Sequence, residues 1–203
     1  MPLSTPAPRK PFHNRSIDLN GYLRDDGMWD IEGHLVDTKA YDFHNEWRGD
    51  MPAGTPIHDM WLRLTVDDHY TIQGIEAVTD SSPYSICPDI TDQFQKLVGL
   101  SIVRGFNRKV REVLGGTQGC VHLVELVGTM ATVAFQTIRP NLKESTAEGE
   151  KPPKPKSGFR PMVLNTCHAW DDTGEVVKRW FPDYYKGEDK IEDAENAEQA
   201  KAE

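Results

Sequence analysis

The 203-residue sequence predicts an α+β fold: a mostly antiparallel sheet of hairpins packed against one long buried helix and two short helices. Three observations predict it. Residues 17–23 and 28–36 alternate apolar and polar side chains about Asp25-Asp26-Gly27, and residues 57–66 and 70–78, through Ile57, Leu62, Leu64, Val66, Tyr70, Ile72, Ile75 and Val78, read as partner strands about Asp67-Asp68. Residues 121–138 are apolar around most of a helical circumference. Period-two alternation marks half-buried strands, and apolar positions three and four apart mark a helix.

Each element has a local reason. Residues 1–13 are rich in proline and basic side chains, too polar to bury a core, and are expected as a disordered arm. Gly27 offers the positive φ of a tight hairpin turn. Residues 41–56 contain Gly49, Pro52, Gly54 and Pro56 and read as a loop, while Gly74 points to an irregularity in its strand. After a turn at 83–88, Asp89 or Thr91 can cap a short helix reaching Val98, because a side-chain oxygen there accepts an unpaired first-turn N–H. Gly99 ends it. A second short helix fits 107–114, stopped by Gly115-Gly116, and Pro140 marks the end of the long one. Residues 142–158 are almost devoid of apolar side chains and read as a flexible linker. Structure returns over 159–185, as a hairpin or as a strand and short helix about 171–174. The expected organisation is one domain over 14–186 with an acidic disordered tail over 187–203.

Charge and cysteine content narrow the function classes. Of the net charge of −9, the tail supplies −5, from seven carboxylates against Lys190 and Lys201. What remains offers no basic face, which argues against nucleic-acid binding. No run approaches the roughly 20 uninterrupted apolar residues of a membrane helix, and residues 1–9 lack the apolar core of a signal peptide. A cytoplasmic protein without a membrane partner is expected, its charged tail suited to keeping a homodimer soluble. Cys87, Cys120 and Cys167 are an odd, sparse set and read as free thiols or ligands.

Polar chemistry gathers at the start of the long helix, in Gly115-Gly116-Thr117-Gln118-Gly119-Cys120-Val121-His122. A helix N-terminus exposes unpaired N–H groups, and glycines let an anion approach them, so Gly116, Gly119 and Cys120 can hold a carboxylate or an oxyanion. Alternatively the glycines only end one helix and begin another. His122, Glu125, Thr129, Thr132 and Gln136 share one narrow helical face, which either is solvated or lines a pocket against the sheet. On the strand at 57–66, His58 shares a face with Met60 and Leu62, whereas Asp59, Trp61 and Arg63 face the other way. His58 is thus a satisfied core histidine or, with His122 and Glu125, part of an acid–base set. Arg63 is a carboxylate binder or an ordinary surface ion pair. A metal at Cys87, Cys120, His122 and Cys167 is conceivable, but neither Cys-x-x-Cys nor His-Glu-x-x-His occurs and no cofactor is expected.

The succession Ile31-Glu32-Gly33-His34-Leu35-Val36-Asp37, Ile57-His58-Asp59-Met60, Pro83-Tyr84 with Cys87, Leu97-Val98-Gly99-Leu100, Gly119-Cys120-Val121-His122-Leu123 and Cys167-His168-Ala169 resembles the bacterial domain-of-unknown-function family numbered 2889. The resemblance implies a setting in aromatic or acyl-CoA breakdown, with members that look like lyases releasing a small aldehyde from lignin-derived aromatics. The expected activity is a cofactor-independent retro-aldol lyase that acts on a small aromatic carboxylate and releases formaldehyde or a similar fragment. A non-catalytic module binding an aromatic or acyl ligand and a metal-dependent hydrolase or lyase are the alternatives. The expected site has His58 and His122 for proton transfer, Tyr84 or Asp37 as partner, Arg63 with the glycine turn for the anion, and Trp29 and Trp61 against the aromatic ring.

Overall fold

The first half of the chain is carried by strands β1 (His13–Leu23), β2 (Trp29–Lys39), β3 (Phe43–Asn45), β4 (Gly49–Met51), β5 (Pro56–Val66) and β6 (Ile72–Ser81). Four form one antiparallel sheet in the order β1-β2-β5-β6, and β3-β4 is a small separate hairpin inside the expected loop. The computed structural model describes residues 3–141, 161 and 163–187. The chain divides into two compact units, 1–148 and 149–203, where the sequence predicts one domain over 14–186. The linker 142–158 lies outside the described residues, as does all of the tail beyond Gly187.

In the first unit the sheet is covered on one face. β2 buries Trp29, Ile31, Leu35 and Asp37, and β5 buries Met60, Leu62, Leu64 and Val66. Both follow the period of two. Gly27 takes φ 83 in the β1-β2 turn, as its position requires. The β5-β6 pairing shifts register between Thr65 and Val66, beside Gly74. β1 starts at His13, earlier than the sequence suggests, and Phe12 packs edge-on against Tyr41 while its carbonyl accepts the Ala40 N–H.

The helices are α1 (Phe106–Leu114) and α2 (Val121–Asn141), preceded by a 3-10 helix at Cys87–Leu97. Pro88 opens that 3-10 segment, and the expected side-chain cap is not made. Instead the Thr91 hydroxyl donates to the Pro88 carbonyl. α2 contains a 19-residue stretch, Val121–Arg139, long and apolar enough by composition to cross a membrane. Its composition answers to the sheet: Leu123, Leu126, Val127, Met130, Ala134 and Ile138 are fully buried in the core. Two glycines set how closely it packs. A Cβ on Gly21 of β1 would run into the Thr137 side chain, and one on Gly33 of β2 would lie 3.0 Å from Met130 Sδ and 3.1 Å from Leu126 Cδ1.

The second unit forms a 3-10 turn at His168–Trp170, α3 (Glu175–Trp180) and a 3-10 turn at Pro182–Tyr184. Among its described residues there is no strand, so of the two alternatives neither the hairpin nor the strand before the helix is formed there, and the short helix is. The turn at 171–174 is present, with Asp171 accepting from the backbone and hydroxyl of Thr173. α3 is favoured by Glu175 in its first turn and Lys178 and Arg179 in its last, which complement the helix dipole, while Val177 is buried.

The close contact of α2 on β2 makes Gly33 sensitive. In urea unfolding, Gly33→Val is expected to cost about 1–3 kcal/mol through overpacking. Gly74→Ala, whose new Cβ would have its nearest neighbour at 3.6 Å, should stay within about 0.5 kcal/mol.

Candidate functional site

The site is laid out by strand register. Asp37 of β2 stands directly across from Arg15 of β1 on one side and from His58 of β5 on the other. All three side chains meet on the face that α2 covers. On β2 the core-facing series Trp29, Ile31, Gly33, Leu35 ends in this carboxylate, and the β2-β5 register shifts immediately after it, between Asp37 and Thr38. Irregularities of this sort re-aim strand side chains and interrupt pairing next to sites.

Asp37 is only 1% exposed. Arg15 clamps it with two parallel bonds of 2.8 Å, from Nε to Oδ1 and from Nη2 to Oδ2. His58 Nδ1 lies 2.9 Å from Oδ2, and His13 Nε2 lies 3.2 Å from Oδ1. Arg15 and His58 thus place hydrogen bonds on both carboxylate oxygens, and His13 adds an ion-pair contact. The remaining terminal nitrogen of Arg15 donates to Glu125 Oε2 of α2 at 3.0 Å. From α2, His122 brings its ring against that of His58, with centroids 3.9 Å apart, and its Nδ1 lies 3.7 Å from Cys120 Sγ.

Burial would raise the Asp37 carboxyl, but the Arg15 pair and then the His58 bond outweigh it and hold the group down at about 2. Burial pushes His58 down; Asp37 pulls it back up, and Arg15 and His13 add to the lowering. His122 is lowered by burial and then by His58 and Arg15. Both imidazoles are neutral at pH 7. Because ionised Asp37 can only accept, His58 carries its proton on Nδ1 and presents an unprotonated Nε2.

Arg15 and Glu125 also line a cleft of about 480 Å³ between β1, α1 and α2. Ile17, Val110, Val124 and Gly128 supply its apolar surface, and Asn107, Arg111 and Thr129 its other polar groups.

Of the residues expected at a site, the structure assembles His58, His122 and Asp37, with Glu125 and Cys120 at their edge. The partner of His58 is Asp37 rather than Tyr84, which is exposed and packs edge-on against Trp47. Arg63 and Trp61 occupy the opposite face of the sheet. Arg63 is held there between Glu32 at 2.7 Å and Glu76 at 2.9 Å. Trp61 stacks on its cross-strand partner His34, whose Nε2 lies 2.7 Å from Asp59. Trp29 is on the right face but eight residues along β2 from Asp37, some ~26 Å away, with its indole N–H donated to Asp68. Thr132 and Gln136 are exposed, so that end of the polar stripe is the solvated side of α2.

The glycine turn has a backbone explanation. A Cβ on Gly115 would collide with the Arg111 carbonyl and one on Gly119 with the Leu114 carbonyl, and Gly116 has φ 60. The group of metal-type ligands that converges among the described residues is Asp37, His58 and His122, their atoms within 4.8 Å of one another. It contains none of the three cysteines, and Cys87, Cys120 and His122, which lie in the same unit, form no such group among the described residues. Two neutral imidazoles and a carboxylate suit a divalent transition metal. Both oxygens of Asp37 already accept, from Arg15 and from His58, so as a ligand it would share them with these partners.

Arg15, which completes the row with Asp37, escapes a sequence reading that starts the strand at Ile17. Counting back by two from Leu19 and Ile17 places Arg15 on the core-facing side, and that is the available signal.

The depressed groups make stability fall with acid. Folding depresses both histidines, so their contribution is lost as pH falls from 6.5 toward their folded values. Asp37 follows between pH 3.8 and about 2, where about 2 kcal/mol is lost. Urea midpoints measured from pH 7.5 to 2.5 should decline through both windows, and Asp37→Asn should remove the lower step while costing about 3 kcal/mol at pH 7.

Residues 13–136 match the family described as Protein of unknown function (DUF2889). No curated protein and no solved structure matches the chain. The matched span runs from His13 into α2 and includes Arg15, Asp37, His58 and His122. The chain therefore belongs to the DUF2889 family.

Proposed function

We propose that the protein is a carbon–carbon lyase that cleaves a small aromatic carboxylate in a retro-aldol reaction and releases formaldehyde. The observation that supports this reading is the Asp37–His58 pair, a buried, ionised carboxylate that fixes the tautomer of a neutral imidazole beside a second neutral imidazole. Such a pair is the equipment of a general base at neutral pH. The aromatic and lignin-derived character of the substrate comes from the family resemblance.

For a substrate in which a hydroxymethyl group is attached to a residue R bearing a conjugated electron acceptor, the step balances as follows. His58 Nε2 takes the hydroxyl proton, and the oxygen's pair forms the second C–O bond of formaldehyde. The bond between R and the hydroxymethyl carbon breaks, its electron pair passing into the acceptor. Protonated His58, with His122 beside it as a second proton carrier, returns the proton to carbon, giving R–H and free formaldehyde. Arg15 keeps Asp37 ionised throughout and so holds His58 in the required tautomer. It also lines the cleft, so the residue that holds Asp37 reaches the surface against which a substrate would sit.

A divalent-metal lyase or hydrolase is the second reading, favoured by the convergence of Asp37, His58 and His122. The Arg15 clamp and the His58 bond, which already occupy both oxygens of Asp37, favour the acid–base reading over it.

Incubation with hydroxymethyl-bearing lignin-type dimers should release formaldehyde that can be trapped. His58→Gln and Asp37→Asn are each expected to lower kcat by about 10²–10⁴-fold in folded protein. Unchanged turnover in both would remove these residues from the chemistry. Near-stoichiometric metal in purified protein, lost in His122→Ala, would select the metal reading, and binding without turnover of any such dimer would make the protein a ligand-binding module.

A further inference from the structure

We infer that Arg111 is the carboxylate anchor of the cleft and sets a preference for anionic aromatic substrates, an inference that rests on the cleft being the substrate site of the lyase. Arg63, Arg15 and Arg111 each line a depression in the surface where a carboxylate could be held. Arg63 is on the opposite face of the sheet and is already neutralised by Glu32 and Glu76. Arg15 lines the cleft, but its Nε and both terminal nitrogens are committed to Asp37 and Glu125. Arg111 also lines the cleft, and its guanidinium has no hydrogen bond or ion pair with any described residue.

The surroundings of Arg111 suit an aromatic acid. Asn107 lies one turn earlier on the same face of α1 and lines the cleft too, adding an amide donor beside the guanidinium. The planar guanidinium fork matches the two oxygens of a carboxylate, a geometry that a lysine ammonium does not reproduce. Ile17, 41% exposed despite its apolar side chain, joins Val110 and Val124 to give a ring an apolar surface. A volume of about 480 Å³ accommodates a substrate of one or two rings. With the carboxylate at Arg111 and the ring along Ile17 and Val124, the substrate shares the cleft with Arg15, the residue that clamps Asp37.

Arg111 also stands in the last turn of α1, where a cation favours the helix dipole, so a purely structural role has to be separated from anchoring. The readout is selectivity, measured by titrating the full chain with 4-hydroxybenzoate and with neutral 4-hydroxybenzyl alcohol. Wild type should prefer the carboxylate by about tenfold or more, the strength of a charge-assisted hydrogen bond. Arg111→Met should abolish that preference by weakening the carboxylate alone, and Arg111→Lys, which keeps the charge at the helix end, should restore it only in part. Gly128→Leu should weaken both ligands by filling the cleft, since a Cβ there meets only Asn107, at an ordinary 3.6 Å. Equal binding of the two ligands by wild type, or a preference that survives Arg111→Met, would overturn the anchor. The two readings fail separately: an Arg111-dependent preference in a protein that never releases formaldehyde leaves the anchor and removes the lyase. A working lyase whose carboxylate preference ignores Arg111 removes the anchor alone.

Discussion

Asp37 is ionised while almost wholly cut off from water, and an unpaired carboxylate in that position would cost several kcal/mol. It is stable because strand register delivers its counter-charge. Arg15 and Asp37 are direct partners across β1 and β2, and Asp37 and His58 are direct partners across β2 and β5. Cross-strand partners on one face bring their Cβ atoms within about 5 Å, so the bidentate clamp needs no loop to close on it. A one-residue slip of either pairing would turn these side chains to the other face of the sheet. The apolar alternation of β2 and β5, which fixes the register, therefore also fixes the site.

That arrangement separates the protonation behaviour of neighbouring groups. Arg15 drives Asp37 toward the ionised form, and the same cation, together with burial, drives both imidazoles toward the neutral form. Asp37 pulls His58 upward, and burial first, with Arg15 and His13 adding to it, outweighs that pull. Asp37 therefore orients His58 through Nδ1 without keeping Nε2 protonated. Arg15 is thus a positioning residue with an electrostatic effect, and its replacement by methionine should raise the His58 pKa as well as loosen β1.

The sheet and the helices are legible in the sequence because their signals are periodic: alternation in β2 and β5, the apolar circumference of α2, Gly27 in its turn. His58 is legible as a core-facing imidazole for the same reason. Arg15 is not, because β1 is an edge strand whose side chains are mostly exposed, and its weak alternation hides where it begins. Arg63, Trp61, Trp29 and Tyr84 stand out by chemical type, and type does not carry the information that register and distance along a strand do. Trp29 shares a face with Asp37 yet is separated from it by most of the length of β2. In the second unit the short apolar stretches allow either strand or helix, and the charges at the two ends of α3 favour the helix.

The glycine-rich segment before α2 acts on the cleft through the backbone. Gly115 and Gly119 are needed where the chain passes close to the carbonyls of Arg111 and Leu114, and Gly116 adopts a φ that side chains resist. These contacts fix the angle at which α1 leaves off and α2 begins. Asn107, Val110 and Arg111 on one helix and Val124, Glu125 and Gly128 on the other line the same cleft only if that angle is held. A substitution at Gly115 or Gly119 would therefore disturb the cleft by moving the helices that form it, without removing any group that touches a ligand. The segment that looks most like a binding motif positions the walls, and the row anchored on Asp37 supplies the groups able to move protons.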